Sequence, residues 1–365
     1  MAEPFNPQLF VGRRGILDNL IAWATGDPPA NQVWSVVGPP GVGKSYLAHQ
    51  IHRELSERPN QLVFWINLTR DASIRGTDPD VAADGGDRLW LRQSVDKARA
   101  RSCGRKVRPY DGGYGFEAVL DTLTADLCAA CADHAPTLIV DGFEEIDAEQ
   151  RLKTEERILA IFTRRSCTRL LIFRRDENAL QSTELRWKER KLALNILEAT
   201  ESQDQLKTRL DYWSNRPNRL HATGPLPITS AILADLELPN SLPPYDWNHP
   251  GLNTLLLERA VYHYQLGQRP LISKVDADEC LRTVTATNGV PLTNPEFKRL
   301  TDLANTGELG DEWTERDLYR LNITIDDTAL KTLFERGIVI NRERTPRYLI
   351  APGLRQMVQA WTRLP

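Results

Sequence analysis

The chain has 365 residues, 41% of them hydrophobic and 26% charged, enough for two or three domains with a substantial core. With 46 basic against 49 acidic residues the net charge is −3, which excludes a global basic field for nucleic acid or anionic lipid while leaving room for a local patch. No run of 18 apolar residues occurs and the opening MAEPFNPQLF lacks a signal-peptide pattern, so the expectation is a cytoplasmic protein without a membrane partner.

In chain order, VWSVV at 33–37 predicts a buried strand ending at Gly38, and Leu47, Ile51 and Leu55 predict a helix after the glycines. LVFWI at 62–66 predicts a second strand. Residues 69–115 are polar and glycine-rich, too long for an ordinary connection, and read as an insertion. Within it Arg88, Arg92, Lys97, Arg99, Arg101, Arg105, Lys106 and Arg108 cluster beside Trp90 and Tyr110. That pattern suits single-stranded nucleic acid or an acidic partner, against the plainer reading of a solvated loop. A helix at 116–131 carries Cys128 and Cys131. With His134 these are one ligand short of a zinc site, and small helix residues account for them better. Strands at 137–140 and 169–173 follow, with a helix through Ile158, Leu159 and Phe162 between them. Alternation of strands and helices predicts a parallel α/β sheet.

Beyond residue 200 the pattern becomes helical, with Leu206, Leu210 and Trp213, a proline-rich connection at 225–250, and a helix at 252–266. Helical segments near 295–305, 315–321 and 327–336 precede strands at 338–340 and 348–350, separated by a charged turn. A last helix carries Leu354, Met357, Val358 and Trp361. Three helices and a hairpin predict a winged helix-turn-helix.

The chemistry is concentrated in GPPGVGKS, which fits G-x-x-x-x-G-K-[ST] between a predicted strand and a predicted helix. Gly41 and Gly43 permit backbone conformations that turn successive amides toward a phosphate, and the helix starting near Lys44 adds its positive end. Lys44 neutralises the β- and γ-phosphates, and the Ser45 hydroxyl ligates Mg²⁺. The candidate nucleotide contacts are therefore Gly38, Pro39, Pro40, Gly41, Val42, Gly43, Lys44, Ser45 and Tyr46, with ATP/ADP and Mg²⁺ as cofactors. TLIVDGFEEID supplies an acid at a strand end, Asp141, as the second metal ligand. Glu144 and Glu145 are candidates for polarising the attacking water, or acids that favour the next helix N-terminus.

The segment Phe10, Val11, Gly12, Arg13 resembles the entry motif of AAA+ and STAND ATPases, whose backbone lies against adenine. AAA+ proteins place a catalytic glutamate directly after the magnesium aspartate, where this chain has Gly142. The order Asp141, Gly142, Phe143, Glu144, Glu145 resembles the NACHT branch of STAND proteins, which implies a catalytic role for Glu145, with Glu144 as the alternative. RLLIFRRDE resembles the strand ending in a γ-phosphate-sensing arginine, here Arg175, or Arg174 if the register slips. GPLPI resembles the G-x-P motif and implies Pro227 against adenine. Ala351 stands where STAND proteins often carry a histidine on the ADP β-phosphate.

The expected fold is an α/β parallel-sheet P-loop NTPase core followed by a helical domain and a winged helix-turn-helix. The expected boundaries are 1–200 (with the 69–115 insertion), 201–290 and 291–365. The resemblance implies a slow regulatory ATPase whose nucleotide state moves a winged-helix lid. Its sensor or effector would be a separate protein, and oligomerisation would depend on nucleotide. The competing reading is a DNA-binding, AAA+-like initiator or transposition regulator using residues 88–108 or the wing. It is disfavoured by Gly142 and by the acids Asp326 and Asp327 that lead the third helix.

Overall fold

The computed structural model describes residues 5–26, 32–58, 61, 63–67, 136–143, 151–152, 155–159, 163, 168–175, 180–214, 249–265, 274–286, 290–305, 312–341, 347–350, 354–355 and 358. The 69–115 insertion, Cys128, Cys131, His134, Glu144, Glu145, Pro227 and Ala351 lie outside them. The chain divides into two compact units. One comprises Arg14–Gly38 and Lys44–Ala193; the other comprises Met1–Arg13, Pro39–Gly43 and Leu194–Pro365.

The first unit is built on a five-stranded sheet. Its strands are β1 (Val33–Val37), β2 (Val63–Asn67), β3 (Thr137–Asp141), β4 (Arg169–Arg174) and β5 (Glu189–Ala193), in the order β2-β3-β4-β1-β5. All pairings are parallel. Every residue of β1, β3 and β4 is buried, as a parallel sheet covered on both faces requires, and this is why they read as mainly apolar runs. Helix α1 (Arg14–Thr25) packs on α2 (Lys44–Ser56), which in turn packs on β2, β3 and β4. Leu47, Ala48, Ile51 and Leu55 form the buried stripe of α2, at the three- and four-residue spacing of one helical face.

Edge strand β5 is different. It follows helix α3 (Thr183–Lys188) without a loop, and its residues ERKLA are half-buried or exposed. Arg190 and Lys191 put charge on this edge, a device that discourages pairing with another chain. Arg190 also lies over the Trp34 ring, 4.6 Å from its centre.

A buried carboxylate ties the approach to α3 to the π-helical turn Glu155–Leu159. Glu155 Oε2 accepts the backbone amides of Gln181 at 2.7 Å and Ser182 at 2.6 Å. Burial pushes the carboxyl above its ordinary range, opposed by those two amides and by Arg174 and Arg151. A carboxyl raised in the folded state binds its proton more readily there than in the unfolded chain. Its contribution is therefore most favourable on the acid side and declines as pH rises through the raised value. Denaturant unfolding of wild type and Glu155→Gln across pH 4–8 is expected to show the stability difference moving in the variant's favour with rising pH.

The second unit is helical. Helix α4 (Ala199–Ser214) packs on the 3-10 turn Pro7–Leu9 and on α5 (Pro250–Gln265), and α5 packs on α6 (Lys274–Val284). Then come α7 (Asn294–Asn305), β6 (Trp313–Thr314), α8 (Glu315–Arg320), α9 (Thr328–Glu335), β7 (Val339–Asn341) and β8 (Arg347–Ile350). The three strands pair antiparallel in the order β6-β8-β7, and α7 packs on α9. Leu300, Leu303, Trp313, Leu330, Leu333 and Leu354 belong to one apolar core that runs on to Leu252 and Leu256 of α5. Asp327 caps α9 by accepting the Leu330 amide at 2.9 Å and also receives Arg299 at 2.7 Å. Among the described residues no helix is long and apolar enough to cross a membrane.

Candidate nucleotide site

The nucleotide loop leaves the end of β1, where the Gly38 amide donates to the Arg174 carbonyl of β4 at 3.3 Å. Gly41 has φ +69° and Gly43 φ +93°, left-handed values that favour glycine and explain both positions of the motif. Val42 is buried, and α2 begins at Lys44. Lys44 is 6% exposed, and its Nζ donates to the Gly38 carbonyl at 2.8 Å, bringing a cation back across the start of the loop. Ser45 is exposed, while Pro40 is buried and Gly38, Pro39 and Tyr46 are half-buried.

Asp141 ends β3 at 4% exposure, in register with Asn67 of β2. Strand β4 separates β3 from β1, so the acid sits two strand spacings, about 10 Å, from the strand that feeds the loop. Gly142 follows at φ +78°, and Phe143 is fully buried behind it.

The two arginines at the end of β4 differ. Arg174 has no exposed surface, and its Nη2 meets Glu189 Oε1 at 2.7 Å while Nη1 donates to the Arg175 carbonyl at 3.2 Å. It is held within the sheet unit. Arg175 lies one residue past the strand end and is 3% exposed.

The entry segment is held by its own unit. Phe10 and Val11 are half-buried, and Gly12 (φ +75°) and Arg13 (φ +59°) are both left-handed. The Arg13 amide donates to Glu201 Oε1 at 2.7 Å, and its guanidinium donates to the Asn195 carbonyl at 2.8 Å. Burial lowers the Arg13 pKa to about 10, with Glu201 pulling the other way. A Cβ on Gly43 would fall 2.8 Å from Arg13 Nη1. The resemblance implies a backbone role for Arg13 at adenine; its side chain lies against Gly43 of the loop.

Three further groups were missed from sequence: Glu201 on the entry segment, and the His249–Gly251 segment and Val284 against the loop. A signal existed for the middle one. A histidine, then proline, then glycine before an apolar helical run is an N-terminus pattern, with proline at the first helical position.

No model of a known protein family matches the chain, and no curated protein matches it. Among solved structures it is similar to the Walker-type ATPase PABY2304 of Pyrococcus abyssi, with a TM-score of 0.58, 13% identity, and coverage of 98% of this chain and 99% of that one. It also matches Cdc6p from Pyrobaculum aerophilum (TM-score 0.44, 15% identity, 98% and 95% covered). Drosophila ORC bound to DNA matches with TM-score 0.42 and 13% identity, over 96% and 94%. The sheet, the loop and the first of these likenesses agree, and the chain has the parallel-sheet α/β fold of the P-loop NTPases.

Proposed function

We propose that this protein is an ATP-binding, slowly hydrolysing switch of the STAND kind with a NACHT-like acid motif. The loop carries the nucleotide reading, with Gly41 and Gly43 in left-handed conformations and Lys44 folded back to Gly38. The donor set fits MgATP: loop amides and Lys44 for the phosphates, and Ser45 with Asp141 for the metal. Arg175 senses the γ-phosphate, and Glu145 or Glu144 orients water. Phe10, Val11, Gly12, Arg13 and Pro227 hold the base. Gly142 supports the NACHT-like assignment, because a glutamate directly after Asp141 would have to adopt φ +78°.

Residues 291–365 are proposed to form a winged helix that serves as lid and partner surface. Support comes from charge pairing along α9 and its approaches. Lys331 meets Asp326 at 2.9 Å, Arg336 meets Glu296 at 3.6 Å, and Arg347 meets Glu312 at 3.3 Å. Cations already facing carboxylates release few counterions from a duplex. The partner is proposed to be a separate sensor or effector protein.

The acids test the reading. Asp141→Asn is expected to weaken Mg²⁺-dependent ATP binding, while Glu145→Gln leaves binding intact and slows single-turnover hydrolysis by about a hundredfold or more. An active Glu145→Gln beside a dead Glu144→Gln would shift the water-orienting role by one residue. Tight binding of the full chain to one duplex sequence at physiological salt would instead favour the initiator reading.

A further inference from the structure

We propose that His249, Pro250 and Gly251, at the start of α5, are a positioning clip for the nucleotide loop. The clip holds the turn Pro39–Gly43 in the shape that presents its amides to phosphate. The inference rests on the ATP reading above for its ligand, and on the second unit alone for its geometry.

A loop that turns its amides toward a ligand turns carbonyls away from it, and buried carbonyls need donors. His249 and Gly251 supply two. His249 is 1% exposed, and its Nε2 lies 3.0 Å from the Pro40 carbonyl oxygen. Its Nδ1 accepts the Leu252 amide at 3.4 Å. A backbone N–H can only donate, so Nδ1 is the acceptor and Nε2 carries the proton given to Pro40. The Gly251 amide donates to the Gly41 carbonyl at 3.0 Å. That amide lies in the first turn of a helix, where N–H groups have no partner within the helix.

The clip is built to reach this close. The His249 carbonyl accepts the Asn253 amide at 3.0 Å, which makes His249 the cap and Pro250 the first helical residue. A Cβ on Gly251 would fall 2.7 Å from the Gly41 oxygen, and a Cβ on Gly41 would fall 2.7 Å from His249 Cε1 and against Val284. Glycine faces glycine because nothing larger fits. The clip is also anchored from behind. Gln205 Nε2 donates to the Pro250 carbonyl at 3.1 Å, and Asn253 Nδ2 donates to Ser202 Oγ at 2.7 Å and Gln205 Oε1 at 3.2 Å. All of these groups are buried and join α5 to α4, the helix whose Glu201 receives Arg13.

The test uses the full chain. In His249→Ala, ATP affinity is expected to fall about tenfold or more, as one buried carbonyl loses its donor. His249→Gln, whose amide N–H can reach Pro40, is expected to stay within about threefold of wild type. Gly251→Ala acts on the same contact without touching the histidine, so a poorly folding His249→Ala does not end the experiment. Hydrogen exchange of the nucleotide-free protein over residues 38–46 should rise in His249→Ala and Gly251→Ala and return toward wild type in His249→Gln. Unchanged loop exchange, or affinity equal to wild type in both Gly251→Ala and His249→Ala, overturns the clip. If wild type itself fails to bind ATP, the nucleotide reading falls, and the exchange measurement still decides the clip.

Discussion

Lys44→Ala is expected to abolish ATP binding, with affinity falling about a hundredfold or more by calorimetry. The loop holds a nearly buried ammonium, which donates to the Gly38 carbonyl, at the start of the phosphate-binding turn. A charge-assisted hydrogen bond contributes roughly 1.5–3 kcal/mol, so losing even two to the phosphates exceeds about 3 kcal/mol, or two decades in affinity. The fold should survive. Alanine is a strong helix former, and the stripe that packs α2 is Leu47, Ala48, Ile51 and Leu55 rather than Lys44. Nucleotide-free Lys44→Ala is therefore expected to melt within a few degrees of wild type, while the upward shift that saturating MgATP gives the wild type disappears. A variant that keeps both the affinity and the shift would remove the nucleotide reading.

The largest stability effect is expected at Glu189→Ala. Arg174 and Glu189 come from β4 and β5, the strands on either side of β1, and their side chains are sealed from water. Removing the carboxylate takes from a buried guanidinium its 2.7 Å ion-pair partner, which costs about 3–5 kcal/mol. For a unit of this size that corresponds to roughly 6–20 °C in melting temperature. The pair is not required to make the sheet stable, however. Replacing both partners together, as Arg174→Met with Glu189→Leu, is expected to recover most of the loss, because neither member of the pair then remains to desolvate. Equal destabilisation in the single and double variants would mean that Arg174 acts through packing.

The parts legible in sequence are those where burial and backbone chemistry leave a local mark. β1, β3 and β4 are buried throughout, so VWSVV, TLIV and RLLIF stood out, each within a residue of its observed end. The strand expected at 62–66 runs 63–67, a slip of one at a boundary where assignments differ by that much. The glycines of the loop were readable because their φ values demand them. β5 was missed because an edge strand with polar residues shows neither an apolar run nor a clean alternation. β6 is only two residues long. Helix α6, KVDADECLRTV, was missed as well. The loop's packing partners were hidden for a different reason. His249 meets Pro40 across 209 positions and Glu201 meets Arg13 across 188, separations at which no spacing rule operates. The motif pointed to Arg13, but the direction of its side chain depends on a left-handed backbone that a non-glycine residue seldom adopts.

The left-handed glycine after Asp141 also bears on how this acid motif can change over generations. Any residue with a side chain at position 142 must hold φ near +78°, a conformation that costs roughly 1–2 kcal/mol for an L-amino acid. Moving a glutamate to that position by one codon change would therefore install the acid and strain the turn behind Asp141 in the same step. Fully buried Phe143 leaves little room for the backbone to relax. A substitution at position 142 therefore carries a backbone cost whichever side chain it brings.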